Sequence, residues 1–155
     1  QYYHCKIHNH KELFGSLLES AKHLLKDAQG KWNCSVYTTY FEEQDVVNPD
    51  ELGKVLAPYL YQYFPTHCNI DLINSWLNLY NSGHTQEPHF YFENLNLEHT
   101  VLGYTHIFEQ DQILTPDITE GDLLLFPSFV RHGVKTQRFD NNRLTLSFNL
   151  AVTPM

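Results

Sequence analysis

The chain has 155 residues, 42% of them hydrophobic, which is sufficient for one globular domain with a single core. Its 10 basic and 18 acidic residues give a formal net charge of -8 without a basic stripe for a phosphate backbone, which disfavours a nucleic-acid partner. No apolar run is as long as a membrane span and no signal-peptide pattern opens the chain, so we expect a single cytoplasmic domain over residues 1–155. Because the sequence starts at Gln1, we expect a few native residues to precede it.

Two helices are predicted in the first part of the chain. Apolar residues recur at helical spacing from Leu13 to Ala28, and Gly30 is expected to close this helix. Asn48 and Pro49 open a second helix, which Pro58 is expected to kink or restart.

Strands dominate the remainder. They are predicted at Trp32 to Phe41, Ile70 to Tyr80, about His99 to Phe108, Asp122 to Phe126, Gly133 to Gln137 and Arg143 to Leu150. In the second of these, Ile73, Leu77 and Leu79 are expected to face the helices. The residues expected to face inward are Asn74, Trp76, Asn78 and Tyr80. Helices followed by antiparallel strands indicate an α+β domain.

The last strand carries a clear chemical signal. Arg143, Thr145, Ser147 and Asn149 share one face, and apolar residues share the other. An arginine followed two residues later by a hydroxyl is suited to a carboxylate, because the guanidinium offers paired donors and the threonine adds another from the same side. The ordinary alternative is a surface arginine on a half-exposed strand.

His132 is the candidate metal ligand. The turn at Gly121 and a buried strand lead to it, and Asp140-Asn141-Asn142 then turns the chain back, so we expect His132 and Arg143 on neighbouring strands. The ordinary alternative for His132 is a satisfied core histidine. Its expected partner is His89, in Gln86-Glu87-Pro88-His89.

These motifs resemble a known family. In chain order they are Ile73-Asn74-Ser75-Trp76-Leu77-Asn78-Leu79-Tyr80, Gln86-Glu87-Pro88-His89, Phe126-Pro127-Ser128 up to His132, and Arg143 to Asn149. The order resembles the 2-oxoglutarate and Fe(II)-dependent oxygenases, in particular the compact prolyl-hydroxylase-like group of bacteria and marine phages. The resemblance extends from Ile73 to the end of the chain, and its C-terminal part is the specific part.

The resemblance implies a fold and an activity. The fold would be a double-stranded β-helix, a jelly-roll or cupin-like barrel with the N-terminal helices packed on one sheet. The activity would be that of a dioxygenase in the cytoplasm of a bacterium or of a phage-infected host. With Fe(II) as cofactor, 2-oxoglutarate as co-substrate and dioxygen, it would hydroxylate an amino-acid side chain of a protein or a small metabolite and release succinate and carbon dioxide.

The resemblance also implies a set of iron ligands. His89 would be the first ligand and His132 the distal histidine. Two imidazoles and a carboxylate on one face of the iron are typical of non-haem oxygenases. The family normally supplies Asp or Glu, and in some relatives His, two residues after the first histidine, but this chain has Tyr91. Tyr91, Glu93 and water are therefore the candidates for the third ligand.

For the co-substrate, the resemblance implies that Arg143 binds the distal carboxylate of 2-oxoglutarate, helped by Thr145 or Ser147. Asn78 and Tyr80 would line the co-substrate pocket.

An alternative function remains open, that of a catalytically inactive cupin-like module that binds a metal or a small acid, since one barrel hosts many functions. Arg143 with Thr145 favours the enzyme, and Tyr91 favours the binding module.

The other potential ligands give weaker signals. Cys5, Cys34 and Cys68 are odd in number and widely spaced, so we expect buried, reduced thiols rather than a disulfide framework or a zinc site. Of the 10 histidines, His99 and His106 flank a predicted strand and are further candidates for the site.

Overall fold

A computed structural model describes residues 2–28, 30–31, 36–42, 46–64, 67–81, 86–89, 97–101, 106–109, 112–114, 117–128, 130–134 and 143–155. Cys34, Tyr91 and Glu93 lie outside the described residues, so the predictions on them are not tested by the fold. The half-buried Cys5 and Cys68 are free thiols, as expected, although neither is fully buried.

The first helix is shorter than predicted. Strand β1 (Tyr3–Lys6) precedes helix α1 (His10–Ala21), which continues as a 3-10 turn (Lys22–Leu24). The predicted continuation to Ala28 is wrong, because the backbone becomes extended at Leu25 and β2 (Lys26–Asp27) pairs with β3 (Tyr37–Thr38). Gly30 accordingly lies in a turn beyond β2, with φ of 86°, and does not close the helix.

Helix α2 (Pro49–Tyr63) begins where the sequence predicts it. The Asn48 side chain accepts hydrogen bonds from the backbone N–H groups of Asp50 at 3.0 Å and Glu51 at 3.2 Å, which caps the helix. The helix runs through Pro58 as one element, so the predicted restart is wrong. Its buried face offsets the hydrogen bond lost at proline. That face consists of Leu52, Leu56 and Leu60.

The remaining strands form two antiparallel sheets. They are β4 (Cys68–Tyr80), β5 (Gln86–His89), β6 (Leu97–Val101), β7 (His106–Glu109), β8 (Gln112–Leu114), β9 (Asp122–Pro127), β10 (Arg131–Val134) and β11 (Arg143–Pro154). The large sheet has the order β1-β9-β6-β11-β4-β3-β2, and the small sheet has the order β5-β10-β7-β8. The α+β architecture with antiparallel sheets is therefore confirmed.

Two strand predictions need correction. The single strand predicted from His99 to Phe108 is two strands, because β6 lies in the large sheet and β7 in the small one. The strand predicted at Gly133 to Gln137 is β10, which begins two residues earlier, at Arg131; residues 135–137 lie outside the described part. Of the strand predicted from Trp32 to Phe41, the structure shows β3 (Tyr37–Thr38). Residues 32–35 lie outside the described part of the chain.

A bulge in β4 corrects the predicted facing of Ile73. Asn149 on β11 pairs with Asn74, but the next residue, Leu150, pairs with Leu72, so Ile73 has no partner in the ladder. An extra residue reverses the alternation beyond it. Ile73 is accordingly 51% exposed instead of facing the helices, whereas Leu72 packs against the core.

The main core lies between the helices and one face of the large sheet. Its buried side chains come from both helices and from β4, β9 and β11, and include Phe14, Leu56, Leu77, Leu125 and Phe148. The opposite face of β11 carries Thr145, Ser147 and Asn149, which are 1%, 2% and 4% exposed. Both faces of the central strand are thus buried, and one of them is polar.

Candidate functional site

The register of the small sheet brings the two predicted histidine ligands together. β10 lies between β5 and β7, and His132 pairs directly with His89 across the β10–β5 ladder. Residues directly opposite each other in an antiparallel pair occupy the same face, with Cβ atoms about 5 Å apart. Positions 89 and 132 are therefore adjacent on one face of this sheet.

Pro88 fits the local geometry of this pair. Two residues of β5, Glu87 and Pro88, stand opposite one residue of β10, between the His132–His89 and Val134–Gln86 pairs. Proline lacks an N–H for the ladder and is tolerated at edge strands and bulges. β5 is an edge strand, so proline next to His89 does not prevent the pairing.

The His132 ring is held in one orientation. It is 2% exposed, and its Nδ1 lies 2.9 Å from the carbonyl oxygen of Val130. A carbonyl only accepts, so Nδ1 carries the hydrogen, and when the ring is neutral its lone pair lies on Nε2. The Phe126 ring packs against it with 4.7 Å between centroids. This hydrogen bond is the usual support of a histidine that ligates a metal through Nε2.

The second group of predicted site residues lies on the large sheet. Arg143 pairs with Tyr80, and Thr145 pairs with Asn78, across the β11–β4 ladder. The Arg143 Cζ lies 5.2 Å from the centroid of the buried Tyr80 ring. Stacking on an aromatic face restrains a guanidinium without using its donors. The sequence predicts each of these four residues as part of the co-substrate site. The strand register places them together, as two neighbouring cross-strand pairs of the β11–β4 ladder.

The Asn78 amide is part of a hydrogen-bonded group. In the orientation that satisfies both ends of the amide, the Asn78 oxygen accepts a hydrogen bond from Trp76 Nε1 at 3.3 Å, and the Asn78 nitrogen donates one to Thr38 Oγ1 at 2.6 Å. Trp76 is 3% exposed and also contacts the Tyr40 ring edge-to-face, with 4.9 Å between centroids. These bonds attach the short strand β3 to β4 and hold Asn78 beside Thr145.

Thr145 offers a hydroxyl on the same face as Arg143. Its Oγ1 is buried and has no hydrogen-bond partner within the described part of the chain. Ser147, the next residue on that face, pairs with Trp76 on one side and with Val101 on the other. A buried hydroxyl of this kind requires a partner, and a ligand carboxylate can supply one.

The histidine pair and the arginine row belong to different sheets. β10 is in the small sheet and β11 is in the large one, so the prediction that His132 and Arg143 stand on neighbouring strands is wrong. The chain passes from one sheet to the other between Val134 and Arg143. Phe126, on β9 of the large sheet, contacts the His132 ring and thereby connects the two sheets.

Among the described side chains, no three of His, Cys, Asp or Glu are placed to hold one metal ion. The His89 side chain and residues 90–96 lie outside that set. The third-ligand candidates Tyr91 and Glu93 are in this stretch, so the roles assigned to the site residues stay predictions.

The pairing of Asn149 with Asn74 is not predicted by the sequence. Asn149 Nδ2 donates to Asn74 Oδ1 at 3.0 Å on the face that carries Arg143. The alternation of side chains along each strand predicts that Asn74 and Asn149 both lie on the inward, polar face of their strands. Their contact could not be predicted, because it depends on the register of two strands about 70 residues apart in the sequence.

Comparison with known proteins agrees with the motifs. Residues 93–149 match a family model described as putative 2OG-Fe(II) oxygenase. The fold is similar to that of a Pseudomonas putida prolyl-4-hydroxylase, with TM-score 0.62 and 15% identity over 99% of this chain and 92% of that one. It is also similar to a 2OG-Fe(II) oxygenase family oxidoreductase from Burkholderia pseudomallei, with TM-score 0.71 and 13% identity over 97% and 84% of the two chains.

In the segment 93–149 the chain is thus similar to the 2-oxoglutarate and Fe(II)-dependent oxygenase superfamily, and over nearly its whole length it shares the fold of solved structures from that superfamily. A third similar structure is HygX from Streptomyces hygroscopicus with nickel, 2-oxoglutarate and hygromycin B bound, with TM-score 0.65 and 11% identity over 97% and 82% of the chains. Fe(II) and 2-oxoglutarate, the cofactors expected from the sequence, are those that give this superfamily its name. A comparison with curated proteins gave no match. Among the described residues, no helix is both long and apolar enough to cross a membrane.

Oxygenases of this superfamily have a double-stranded β-helix fold, and the two antiparallel sheets of this chain agree with it. Closure of the two sheets into a barrel and the assignment to the compact prolyl-hydroxylase-like group stay predictions.

Proposed function

We propose that the protein is an Fe(II)- and 2-oxoglutarate-dependent dioxygenase that hydroxylates an amino-acid side chain or a small metabolite, with release of succinate and carbon dioxide. The observation that carries this proposal is the direct pairing of His132 with His89. The family match over residues 93–149 supports it. We also propose that residues 1–155 form one such domain, closed as a double-stranded β-helix.

The residues present fit an iron ion. His132 has its Nδ1 engaged by the Val130 carbonyl, so its Nε2 is the ligating atom, and His89 occupies the adjacent position. Phe126 against the ring limits access of water from that side. When bound, Fe(II) with 2-oxoglutarate supplies the oxidising chemistry, while the protein supplies orientation and a dry site.

The residues of the large sheet fit the co-substrate. Arg143 would form paired hydrogen bonds with the distal carboxylate of 2-oxoglutarate, and the buried Thr145 hydroxyl would donate a further one. Tyr80 beneath the guanidinium would hold it in place, and Asn78 would line the same pocket. Ser147 is the alternative hydroxyl on this face.

The substrate is less constrained than the co-substrate. The similar structures include a prolyl-4-hydroxylase and a protein with the small molecule hygromycin B bound. Because fold similarity at such low identity does not transfer specificity, we keep both protein and small-molecule substrates in the proposal.

Consumption of dioxygen tests the proposal directly. Purified protein with Fe(II) and 2-oxoglutarate should consume dioxygen and form succinate even without a substrate, and Arg143→Ala should reduce the rate at least tenfold. Succinate is measured by mass spectrometry, with protein lacking 2-oxoglutarate as the control. Binding of metal and 2-oxoglutarate without any succinate would instead indicate the cupin-like binding module.

Tyr91 is the sequence feature that favours the binding module, because it replaces the usual third-ligand residue. A phenolate bound to ferric iron would give a visible charge-transfer band, which should disappear in Tyr91→Phe. If the ferric protein is colourless and Tyr91→Asp binds Fe(II) more tightly, the natural site lacks a carboxylate that aspartate restores. Loss of iron in Glu93→Gln, with no effect of either Tyr91 substitution, would instead identify Glu93 as the ligand.

A further inference from the structure

A closed group of contacts surrounds the Asn78 amide beside the predicted co-substrate site. The Asn78 nitrogen donates to Thr38 Oγ1 at 2.6 Å and to the Leu77 carbonyl oxygen at 3.2 Å. The Asn78 oxygen accepts from Trp76 Nε1 at 3.3 Å. Thr38 Oγ1 also accepts from the Tyr40 N–H at 3.1 Å, and the Tyr40 ring contacts Trp76 edge-to-face. The contacts therefore form a ring that begins and ends at the Thr38 hydroxyl.

Both donors of this amide are used inside the protein. An asparagine side chain has two N–H groups, and here one is bound by Thr38 and the other by Leu77. An ionised carboxylate only accepts hydrogen bonds, so Asn78 has no donor left for the distal carboxylate of 2-oxoglutarate. Asn78 therefore contributes to the predicted pocket by its position, and its position depends on its partners.

The strand register places the amide next to the predicted carboxylate clamp. Thr38 pairs with Asn78 across β3 and β4, and Asn78 pairs with Thr145 across β4 and β11. Residues directly opposite each other share a face, so the three side chains form one row, and Arg143 lies two residues from Thr145 on the same face. Thr38 and Asn78 are 2% exposed and Thr145 is 1% exposed. The row is therefore buried along its whole length.

Two threonine hydroxyls thus lie on opposite sides of one amide. The Asn78 nitrogen bonds the Thr38 hydroxyl, and this leaves the Thr145 hydroxyl for a ligand. Without Thr38 Oγ1, the freed Asn78 N–H would be buried and would need a new acceptor. Thr145 carries the other hydroxyl of the row, so a released amide would compete with a ligand for it.

We infer that Thr38 is a positioning residue of the co-substrate site: its hydroxyl holds the Asn78 amide away from Thr145, so that Thr145 can bind the 2-oxoglutarate carboxylate. This inference rests on the proposed function, in which Thr145 donates to that carboxylate. In this arrangement Thr38 acts on the co-substrate only through Asn78. Because hydrogen bonds in a connected network strengthen one another, loss of the Thr38 hydroxyl should also change the bond of the Trp76 indole.

Isosteric and conservative substitutions of Thr38 test the inference. Thr38→Val keeps the shape of the side chain and removes the hydroxyl, whereas Thr38→Ser keeps the hydroxyl. 2-Oxoglutarate is titrated into protein loaded with Zn(II), a diamagnetic substitute for Fe(II). Binding should be about tenfold weaker in Thr38→Val, since one buried hydrogen bond is lost, and within about threefold of wild type in Thr38→Ser. The affinity for Zn(II) should be the same in all three proteins.

Thr39→Val is the matched control. Thr39 is 3% exposed, and its Oγ1 accepts from the Leu77 N–H at 2.9 Å, so this substitution also removes one buried, hydrogen-bonded hydroxyl. Thr39→Val and Thr38→Val should lose thermal stability to a similar extent, but Thr39→Val should bind 2-oxoglutarate as the wild type does. A general loss of stability would not produce this difference.

The Trp76 indole N–H gives a readout that needs no ligand. The chain has two tryptophans, Trp32 and Trp76, so its nitrogen–proton NMR spectrum contains two indole signals, which Trp32→Phe assigns. Because the Trp76 N–H donates to the Asn78 oxygen, its signal should shift in Thr38→Val. The signal should stay near its wild-type position in Thr38→Ser and Thr39→Val.

A double-mutant cycle tests whether Thr38 acts through Asn78. Asn78→Leu removes the amide, so adding Thr38→Val to it should change the affinity for 2-oxoglutarate by less than about twofold. This comparison also serves if Thr38→Val alone does not fold, since the double variant has no unpaired amide.

An unshifted Trp76 signal in Thr38→Val would overturn the inference, and so would 2-oxoglutarate binding in that variant that is as tight as in the wild type or tighter. An equal loss of affinity in Thr39→Val, or additive effects of Thr38→Val and Asn78→Leu, would also overturn it. The wild type and Arg143→Ala report on the proposed function separately. If 2-oxoglutarate binding depends on Arg143 but not on Thr38, the inference fails and the proposed function stands; if the wild type does not bind 2-oxoglutarate, the proposed function fails.

Discussion

The His132 side chain combines burial, a fixed ring orientation and a histidine at the opposite position of the next strand. Because the site has few protein ligands, His132→Ala should abolish specific Fe(II) binding. Calorimetry under anaerobic conditions with Fe(II), or with Mn(II) in air, measures this. His67→Ala, at an exposed histidine, is the matched control and should bind the metal normally. Unchanged affinity in His132→Ala would remove this residue from the site.

Arg143 lies on the Tyr80 ring and shares its face with the buried Thr145 hydroxyl. Arg143→Ala should weaken 2-oxoglutarate binding by roughly 2–5 kcal/mol, since truncating one member of a buried charge pair leaves the other unpaired. Arg143→Lys should restore only part of this, because a point charge does not reproduce the guanidinium fork. Titration of 2-oxoglutarate into each metal-loaded variant and into the wild type gives the dissociation constants that are compared. Equal affinity in wild type and Arg143→Ala would contradict the co-substrate assignment, even with metal binding intact.

At the scale of secondary structure, alternation and capping were predictable, whereas register was not. Strict alternation in β11 identified the polar face, and Asn48 before Pro49 identified the start of α2. The bulge at Ile73 left no sign in the sequence, because it depends on pairing with β11. The split between β6 and β7, and the distribution of His132 and Arg143 over two sheets, are likewise set by strand pairing between distant segments.

The turn before β9 depends on a glycine. Gly121 has φ of 88°, and a Cβ at this position would lie 2.5 Å from the Nδ1 of His10 at the start of α1. Gly121→Ala should therefore destabilise the fold by about 1–2 kcal/mol from the backbone conformation alone, with a further cost from the contact. Thermal unfolding of the variant measures this.

Two further variants separate the two causes of this destabilisation. Combining Gly121→Ala with His10→Ala should cost less than the sum of the single changes, because the contact is removed. Gly53→Ala, in the α2 interior with no atom within 4 Å of the added Cβ, should stabilise by roughly 0.5–1 kcal/mol. Wild-type stability in Gly121→Ala would contradict the contact with His10.

At the scale of the whole molecule, the start of the chain is joined to the edge of the large sheet by a buried charge. Asp122 on β9 is 5% exposed, and its carboxylate lies 2.6 Å from Lys6 Nζ and 2.9 Å from His4 Nε2, both on β1. The Thr119 N–H donates to the same carboxylate at 2.8 Å. Because removing one member of such a group leaves the others unpaired, attachment of β1 should depend on Asp122.

This arrangement predicts how stability changes with pH. Burial by itself would raise the pKa of Asp122, but hydrogen bonds from Lys6, Thr119 and His4 outweigh it and lower the pKa from 3.8 to about 2. A carboxyl whose pKa is lower in the folded state contributes stability above its unfolded pKa and loses it as pH falls through the folded value. The contribution, about 2 kcal/mol, should be complete above pH ~5, mostly lost at pH ~2 and fully lost by pH ~1.

Denaturant unfolding of wild type and Asp122→Asn between pH 7 and pH 2.5 tests this expectation. The variant should be less stable at pH 7, and the difference between the two proteins should shrink steadily below pH ~5, because protonation progressively removes the same charge from the wild type. Asp71→Asn, at an exposed position on β4, is the control and should follow the wild-type curve. A difference that stays constant down to pH 2.5 would show that Asp122 stabilises the β1–β9 edge by packing or neutral hydrogen bonds and not by its charge.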